Sequence, residues 1–332
     1  MFEAAVAVDN CVYASSMDVN ALFRIEICSG RTEYLRSFPQ EEIVNKRLHY
    51  CAVQRNKQIV FFPFSGKYIQ IYDTRNNKMC SLEVPDSKAT FFSNAVADGD
   101  NVYLSSTRNQ NIWKFSFSKN TIVKLRTGEK GCVYSLGSAF YEKYIYTLVY
   151  GSNILHRYST IENRLEKVQI NSNKKFSQIL GIFNSILMLH EVDSGNILLI
   201  DLSTNNIQTE IKACATKIMA TYQNGSYILG YSQAENLLVK ISTINNAMEK
   251  LPLDDVVFNG AMLNDKNDIY YTIDNKYIYS LDSGKKICDL FFDELSIKRL
   301  REKVGSKLNL QEILYEGELV NLNMFLNNIA KV

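Results

Sequence analysis

Three histidines, at positions 49, 156 and 190, are the side chains in this sequence best suited to metal binding or acid–base chemistry. His190-Glu191-Val192-Asp193 places three potential ligands within four residues. On a strand, His190 and Val192 share one face while Glu191 and Asp193 share the other. The ligands are thereby split, the segment reads as a strand end entering a turn, and no metal site is expected. Asp98-Gly99-Asp100 resembles the opening of a calcium loop but lacks the later carboxylates and the closing Glu, so it reads as turn chemistry. His156 aligns with Trp113 and Val239 on an apolar strand face and reads as a packed core histidine. The sequence holds no Gly-x-Ser-x-Gly elbow, Walker loop or GxGxxG segment. Any nucleophile–base pair would have to converge in space from distant segments, and no cofactor is expected.

The elements that would position these residues repeat along the chain. Polar turns recur at Ser29-Gly30, Asn76-Asn77, Lys119-Asn120, Glu162-Asn163, Asn205-Asn206, Asn245-Asn246 and Ser283-Gly284, in steps of 47, 43, 43, 42, 41 and 38 residues. A four-stranded antiparallel unit needs about 40–50 residues, the period of a propeller blade. The second strand of each unit is rich in β-branched and aromatic residues, as in Ile59–Phe62, Val102–Ser105 and Ile145–Leu148. The third alternates apolar with polar, as in Phe23-Arg24-Ile25, Ile69-Gln70-Ile71 and Trp113-Lys114-Phe115; Leu199 alone breaks the polar slot. The first carries a small residue, Ala52, Ala95, Ala139, Gly181 or Ala261, where innermost strands would crowd around a common axis, with Val6 and Thr221 somewhat larger at the matching places.

On these features the chain resembles the β-propeller superfamily, in the loose company of WD-repeat, kelch and YVTN-type proteins. It departs from each diagnostic motif: there is no recurring Trp-Asp, no Gly-Gly pair per blade and no Tyr-Val-Thr-Asn. Asn20–Phe23, Phe62–Ser65 and Ile69–Asp73 resemble segments of uncharacterised bacterial propeller chains. The expectation is all-β: a seven-bladed β-propeller of four-stranded antiparallel blades over residues 1–292, with a short α-helical C-terminal tail over 293–332.

In such a fold, connections from a fourth strand to the next first strand share a face with those between second and third strands. That reading gathers His49, Tyr50, Asn94, Arg108, Gln178, Asp193 and Asn259 as candidate ligand-binding residues at the channel mouth and loop face. The longest connection, Pro39 to His49, contains Glu41, Glu42, Lys46 and Arg47, and long loops are where function concentrates. In the tail, Ser296 is placed to cap a helix bearing Ile297, Leu300 and Val304. Leu322, Phe325, Leu326 and Ile329 then form an i, i+3, i+4, i+7 stripe suited to docking on a partner or on the propeller itself.

Composition bounds the partners. With 37 basic and 35 acidic residues the net charge is +2, which offers no basic excess for nucleic acid or an anionic membrane. The start of the chain carries Glu3 and Asp9 and no long apolar run, so neither a leader nor membrane insertion is expected. Seven scattered cysteines without CxxC spacing point to a reducing, cytoplasmic setting and no disulfide framework. The expected function is a bacterial, non-catalytic scaffold recognising a protein partner or an oligosaccharide. The alternative is a hydrolase or lyase acting on a sugar or small metabolite at the central channel.

Overall fold

The computed structural model describes residues 2–17, 19–42, 47–85, 91–106, 108, 111–126, 134–212, 218–224, 227–232, 235–252, 262–264, 270–273, 277–280 and 285–308. Along the chain run β1 (Phe2–Val8), β2 (Cys11–Ser16), β3 (Leu22–Glu26) and β4 (Arg31–Arg36), then β5 (His49–Arg55), β6 (Gln58–Pro63), β7 (Tyr68–Asp73) and β8 (Lys78–Glu83). Next are β9 (Phe92–Asp98), β10 (Asn101–Ser106), β11 (Ile112–Ser116), β12 (Thr121–Arg126), β13 (Ala139–Tyr141), β14 (Tyr144–Leu148), β15 (Ile154–Ser159) and β16 (Arg164–Gln169). β17 (Phe176–Phe183), β18 (Ile186–Glu191), β19 (Ile197–Asp201), β20 (Asn206–Ile211), β21 (Ile218–Asn224), β22 (Tyr227–Ser232), β23 (Leu237–Ser242) and β24 (Met248–Pro252) follow. The last elements are β25 (Met262–Asn264), β26 (Tyr270–Ile273), β27 (Tyr277–Ser280), β28 (Lys285–Asp289), β29 (Phe291–Phe292) and the helix α1 (Glu294–Leu308).

Six sheets are four-stranded blades: β5–β8, β9–β12, β13–β16, β17–β20, β21–β24 and β25–β28. The sheet of β1–β4 is different, because β29 joins it as a fifth strand. The expected seven blades of four strands are therefore corrected to six. The cause is Phe291–Phe292, which the periodicity assigns to the end of the last blade. These residues instead pair in parallel with β4, Phe291 against Arg31 and Phe292 against Thr32.

The strands fall into two compact units, one holding β1–β8, β25–β29 and α1, the other β9–β24. Within each, neighbouring blades share a core. In the first unit, Leu22 and Phe38 pack with Ile59, Phe61 and Tyr72, while Phe23 and Ile25 pack with Ile278 and Leu300. In the second, Leu148 and Leu155 meet Leu187 and Leu198, and Met188 and Leu199 meet Ile228 and Val239. Leu199, the apolar break in the third-strand pattern, is thus explained by burial against the next blade. The second strands β2, β6, β10, β18 and β22 each bury five residues in a row. A strand covered on both faces buries consecutive residues in this way: the first of each run are mostly apolar, and polar residues such as Ser15-Ser16, Ser105-Ser106 and His190-Glu191 close several of them. The outer strands β8 and β20 alternate with exposed polar residues, which discourages edge-to-edge pairing.

The outer turns follow the expected chemistry. Gly30, Asn77, Asn120, Asn163, Asn205 and Asn246 have φ of 75°, 54°, 47°, 52°, 58° and 59°, the left-handed region that Gly and Asn tolerate best. Ser283-Gly284 and Ala261 lie outside the described residues. Asp100, in the calcium-like segment, is consumed locally: its carboxylate accepts from Ser116 Oγ (2.7 Å), Ser118 Oγ (2.7 Å) and Ser118 N (3.1 Å).

At the C-terminal side the helix cap is also corrected. Asp293, not Ser296, caps α1: its carboxylate accepts from Ser296 N (3.0 Å) and Ser296 Oγ (2.6 Å). An acidic N-cap suits the positive end of the helix dipole. Ser296 is buried within the first turn, where its Oγ accepts from Tyr34 N on β4 (2.9 Å). Among the described residues no helix is long and apolar enough to cross a membrane.

Candidate recognition face

In the first unit the connection after β4 folds back over the first blade and is tied down at three points. Asn20 Nδ2 donates to the carbonyls of Phe38 (2.9 Å) and Glu41 (3.0 Å), and its Oδ1 accepts from Phe38 N (2.6 Å). Gln70 Nε2 donates to Pro39 O (3.0 Å). The Glu41 carboxylate accepts from Lys67 N (2.8 Å) and Tyr68 N (3.0 Å), and burial pushes its pKa up despite those bonds. Glu41 is therefore a backbone tether for the β6–β7 turn.

This packing buries His49 completely. Phe38 meets its ring edge-on at 4.4 Å and Phe61 lies at 5.6 Å. Nδ1 sits 2.9 Å from Ser15 Oγ, and Nε2 is buried with no hydrogen-bond partner among the described residues. Desolvation pulls the imidazole down to about 3, so at neutral pH it is uncharged and a feeble base. Tyr50 follows on the strand, half-buried, its ring 5.5 Å from that of Phe64 in the β6–β7 turn. Beside them Arg47 is exposed, and its backbone links to Met17 O (2.7 Å) and from Ser65 N (3.0 Å).

In the second unit the same strand ends are laced together by backbone hydrogen bonds. Asn94 Oδ1 accepts from Gly137 N (2.8 Å), while its Nδ2 donates to Ser105 Oγ (3.2 Å) and Ser135 O (3.3 Å). Leu136 bridges to Gln178 in parallel, with Ile179 N donating to Leu136 O (3.2 Å). Gly137, at φ 79°, lies against the Ile179 carbonyl, and an added Cβ would collide with it; only glycine fits both the conformation and the space. Gln178 is buried at the end of this line, its Oε1 without a hydrogen-bond partner among the described residues.

The remaining histidines are built into the same framework. His156 is buried with Nδ1 3.0 Å from Tyr134 Oη. His190 is buried with Nδ1 2.7 Å from Ser177 Oγ. The adjacent Glu191 accepts from Lys174 Nζ (3.2 Å) and from the Ser194 hydroxyl. Lys174 also reaches Glu210 at 2.9 Å, and that carboxylate, more than Glu191, holds the ammonium above its usual range. Asp193 lies exposed in the turn beyond.

Arg108 donates its backbone N–H to Ser106 Oγ (3.0 Å) at the end of β10. It is exposed, and its guanidinium carbon lies 4.0 Å from the centroid of the Phe91 ring. Phe91 precedes β9 and holds φ at 39°, a conformation uncommon for a bulky residue. Arg108 follows Ser106, which pairs with Phe92, and Ser105 pairs with Asn94. Asn94, Arg108, Gln178 and Asp193 therefore lie at corresponding ends of their sheets, and His49 and Tyr50 do so in the first unit. Asn259, Leu322, Phe325, Leu326 and Ile329 lie outside the described residues. The sequence reading passed over Phe91 and Phe64. For Phe91 the signal was alternation: of the adjacent Phe91-Phe92 only one aromatic can enter the core; nothing comparable marks Phe64.

The arrangement is that of a β-propeller. No protein family and no curated protein matches the chain. Among solved structures it is similar to a streptogramin B lyase, with a TM-score of 0.65 and 14% identity over 82% of this chain and 89% of that one. It is similar to YCF48 bound to the D1 peptide, with a TM-score of 0.63 and 9% identity over 82% and 89%. A chain of the mitotic checkpoint complex gives a TM-score of 0.61 and 10% identity over 82% and 83%. At such identities the likeness carries the fold and not the activity.

Proposed function

We propose that this propeller is a non-catalytic recognition module that holds a protein partner at the face formed, in its second unit, by the first-strand starts and the second-to-third-strand connections. The observation that carries this reading is the Arg108–Phe91 stack, an exposed guanidinium laid on an aromatic ring. Arg and aromatic side chains supply most binding energy in protein interfaces. By contrast His49, His156 and His190 are buried against hydroxyls, and the Glu41 and Glu191 carboxylates are engaged by backbone, Ser or Lys. These are the roles of a rigid frame. That propellers of similar fold occur with a bound peptide and within a multiprotein complex fits the same reading.

Arg108→Ala is expected to leave the fold intact, since exposed substitutions shift stability by only about 0.5 kcal/mol. Tagged full-length chain should capture a stoichiometric protein from native cell extract, and Arg108→Ala should weaken that affinity roughly 10- to 30-fold, the scale of an interface anchor. A partner held equally by wild type and variant would contradict the reading. So would a glycan-array signal with no protein captured, which would favour an oligosaccharide.

A further inference from the structure

Three thiols gather in the first unit where the last blade meets the first: Cys28, exposed in the β3–β4 turn, and Cys11 and Cys288, both partly buried. β28 runs directly beside that turn. Cys288 Sγ donates to Ile27 O at 3.2 Å, and Phe291 N donates to Gly30 O at 3.1 Å. The Asp289 carbonyl fills the space where Gly30 lacks a side chain, and Cys288 Sγ lies 3.1 Å from the position a Gly30 Cβ would take. Cys288 thus lies against Ile27 and Gly30, which bracket Cys28 and Ser29. A carbonyl oxygen lies about 2.8 Å from the next Cα across a trans peptide. With the 3.2 Å contact to Ile27 O, Cys288 Sγ is then at most about 6 Å from the Cys28 Cα. In a formed disulfide the partner sulfur lies about 3–4.5 Å from the Cα, so closure needs the turn and β28 to approach by at most about 3 Å. Cys11 is one strand further away: it pairs with Glu26, and Ile27 N donates to Asn10 O (2.9 Å). Burial raises the Cys288 thiol, and negative charge on Asp289 and then Cys28 adds to the rise.

We propose that Cys28 and Cys288 form a reversible disulfide that staples β28 to the turn of the first blade. The oxidant is a low-molecular-weight disulfide such as oxidised glutathione. The exposed Cys28 thiolate attacks one glutathione sulfur, forming a mixed disulfide and releasing the other glutathione as thiolate. Cys288, giving up its proton to solvent, then attacks the Cys28 sulfur and expels the second glutathione. Two protein thiols are oxidised, one glutathione disulfide is reduced to two thiols, and the step reverses in excess reduced glutathione. The inference is independent of the recognition reading.

The test uses the full-length protein incubated with oxidised glutathione, followed by intact mass and non-reducing peptide mapping. The expected product has lost the mass of two hydrogens and yields a peptide linked through Cys28 and Cys288. Cys11→Ser should form it as wild type does. Cys288→Ser should stop at a stable glutathione adduct on Cys28. Oxidation should raise the urea midpoint of wild type and leave that of Cys288→Ser unchanged, with both equal when reduced. A Cys11–Cys28 link, or wild type halting at the glutathione adduct, would overturn the proposal.

Discussion

Acidification from about pH 6.5 to about pH 3 is expected to remove on the order of 5 kcal/mol of stability through His49 alone. In the folded protein its imidazole is fully buried between Phe38 and Phe61 and is pulled from 6.5 to about 3 by loss of solvent. In the unfolded chain the ring takes up a proton near its ordinary value. Across that window the unfolded state binds more protons, so stability is complete above about 6.5 and drains as the pH falls through the folded value. The loss is comparable to the whole stability of many domains. His49→Asn keeps a polar group for Ser15 and cannot titrate. Urea unfolding followed by circular dichroism across this range should show the variant losing several kcal/mol less than wild type. Parallel pH profiles would show that His49 is hydrated in the folded state.

Phe23→Ala should cost about 3–5 kcal/mol, the range for emptying a large buried aromatic site. Phe23 is fully buried and its ring meets Phe2 at 5.4 Å, Tyr34 at 6.0 Å and Phe292 at 5.8 Å. Those three rings come from the first strand, the fourth strand and the added strand β29, so one side chain ties β29 into the first sheet. The cavity cannot collapse easily, because Phe2, Tyr34, Phe292 and Leu300 in this cluster belong to separate elements, β1, β4, β29 and α1. Phe291→Ala, next to Phe292 but about half exposed, should change stability by only about 0.5 kcal/mol. Equal, small effects for the two variants in urea unfolding would mean that β29 does not close this core.

Much of the frame was legible in the sequence because it rests on local rules. The turn residues Asn77, Asn120, Asn163 and Asn246 sit in the left-handed conformation that their type favours. The second strands announce themselves by continuous apolar runs. What was not legible depends on contacts distant in sequence. Phe291–Phe292 has the composition of a strand end in the last blade, and nothing local says that it pairs in parallel with Arg31 and Thr32. Ser296 and Asp293 are both good helix caps; the choice is made by Tyr34, whose backbone N–H occupies the Ser296 hydroxyl. His49 looks like a mouth residue because polar and charged residues precede it. Its burial follows from Asn20 and Gln70 pinning Phe38–Glu41 over it. The candidate face was legible as a set of strand ends, but its proposed anchor was only half visible: Arg108 was in the set, and Phe91, whose ring it lies on, was not.

The central claim is that a protein partner docks on this face, and site-specific photo-crosslinking in living cells addresses it most directly. Benzoylphenylalanine would replace Asp193, exposed at the same sheet ends as Arg108, and in a second strain Ile161, 73% exposed in the β15–β16 turn at the outer edge of its blade. The account predicts one discrete cross-linked protein from position 193, lost on Arg108→Ala, and none from position 161. A protein captured from position 161 and not from 193 would place recognition on the blade edge and contradict the account.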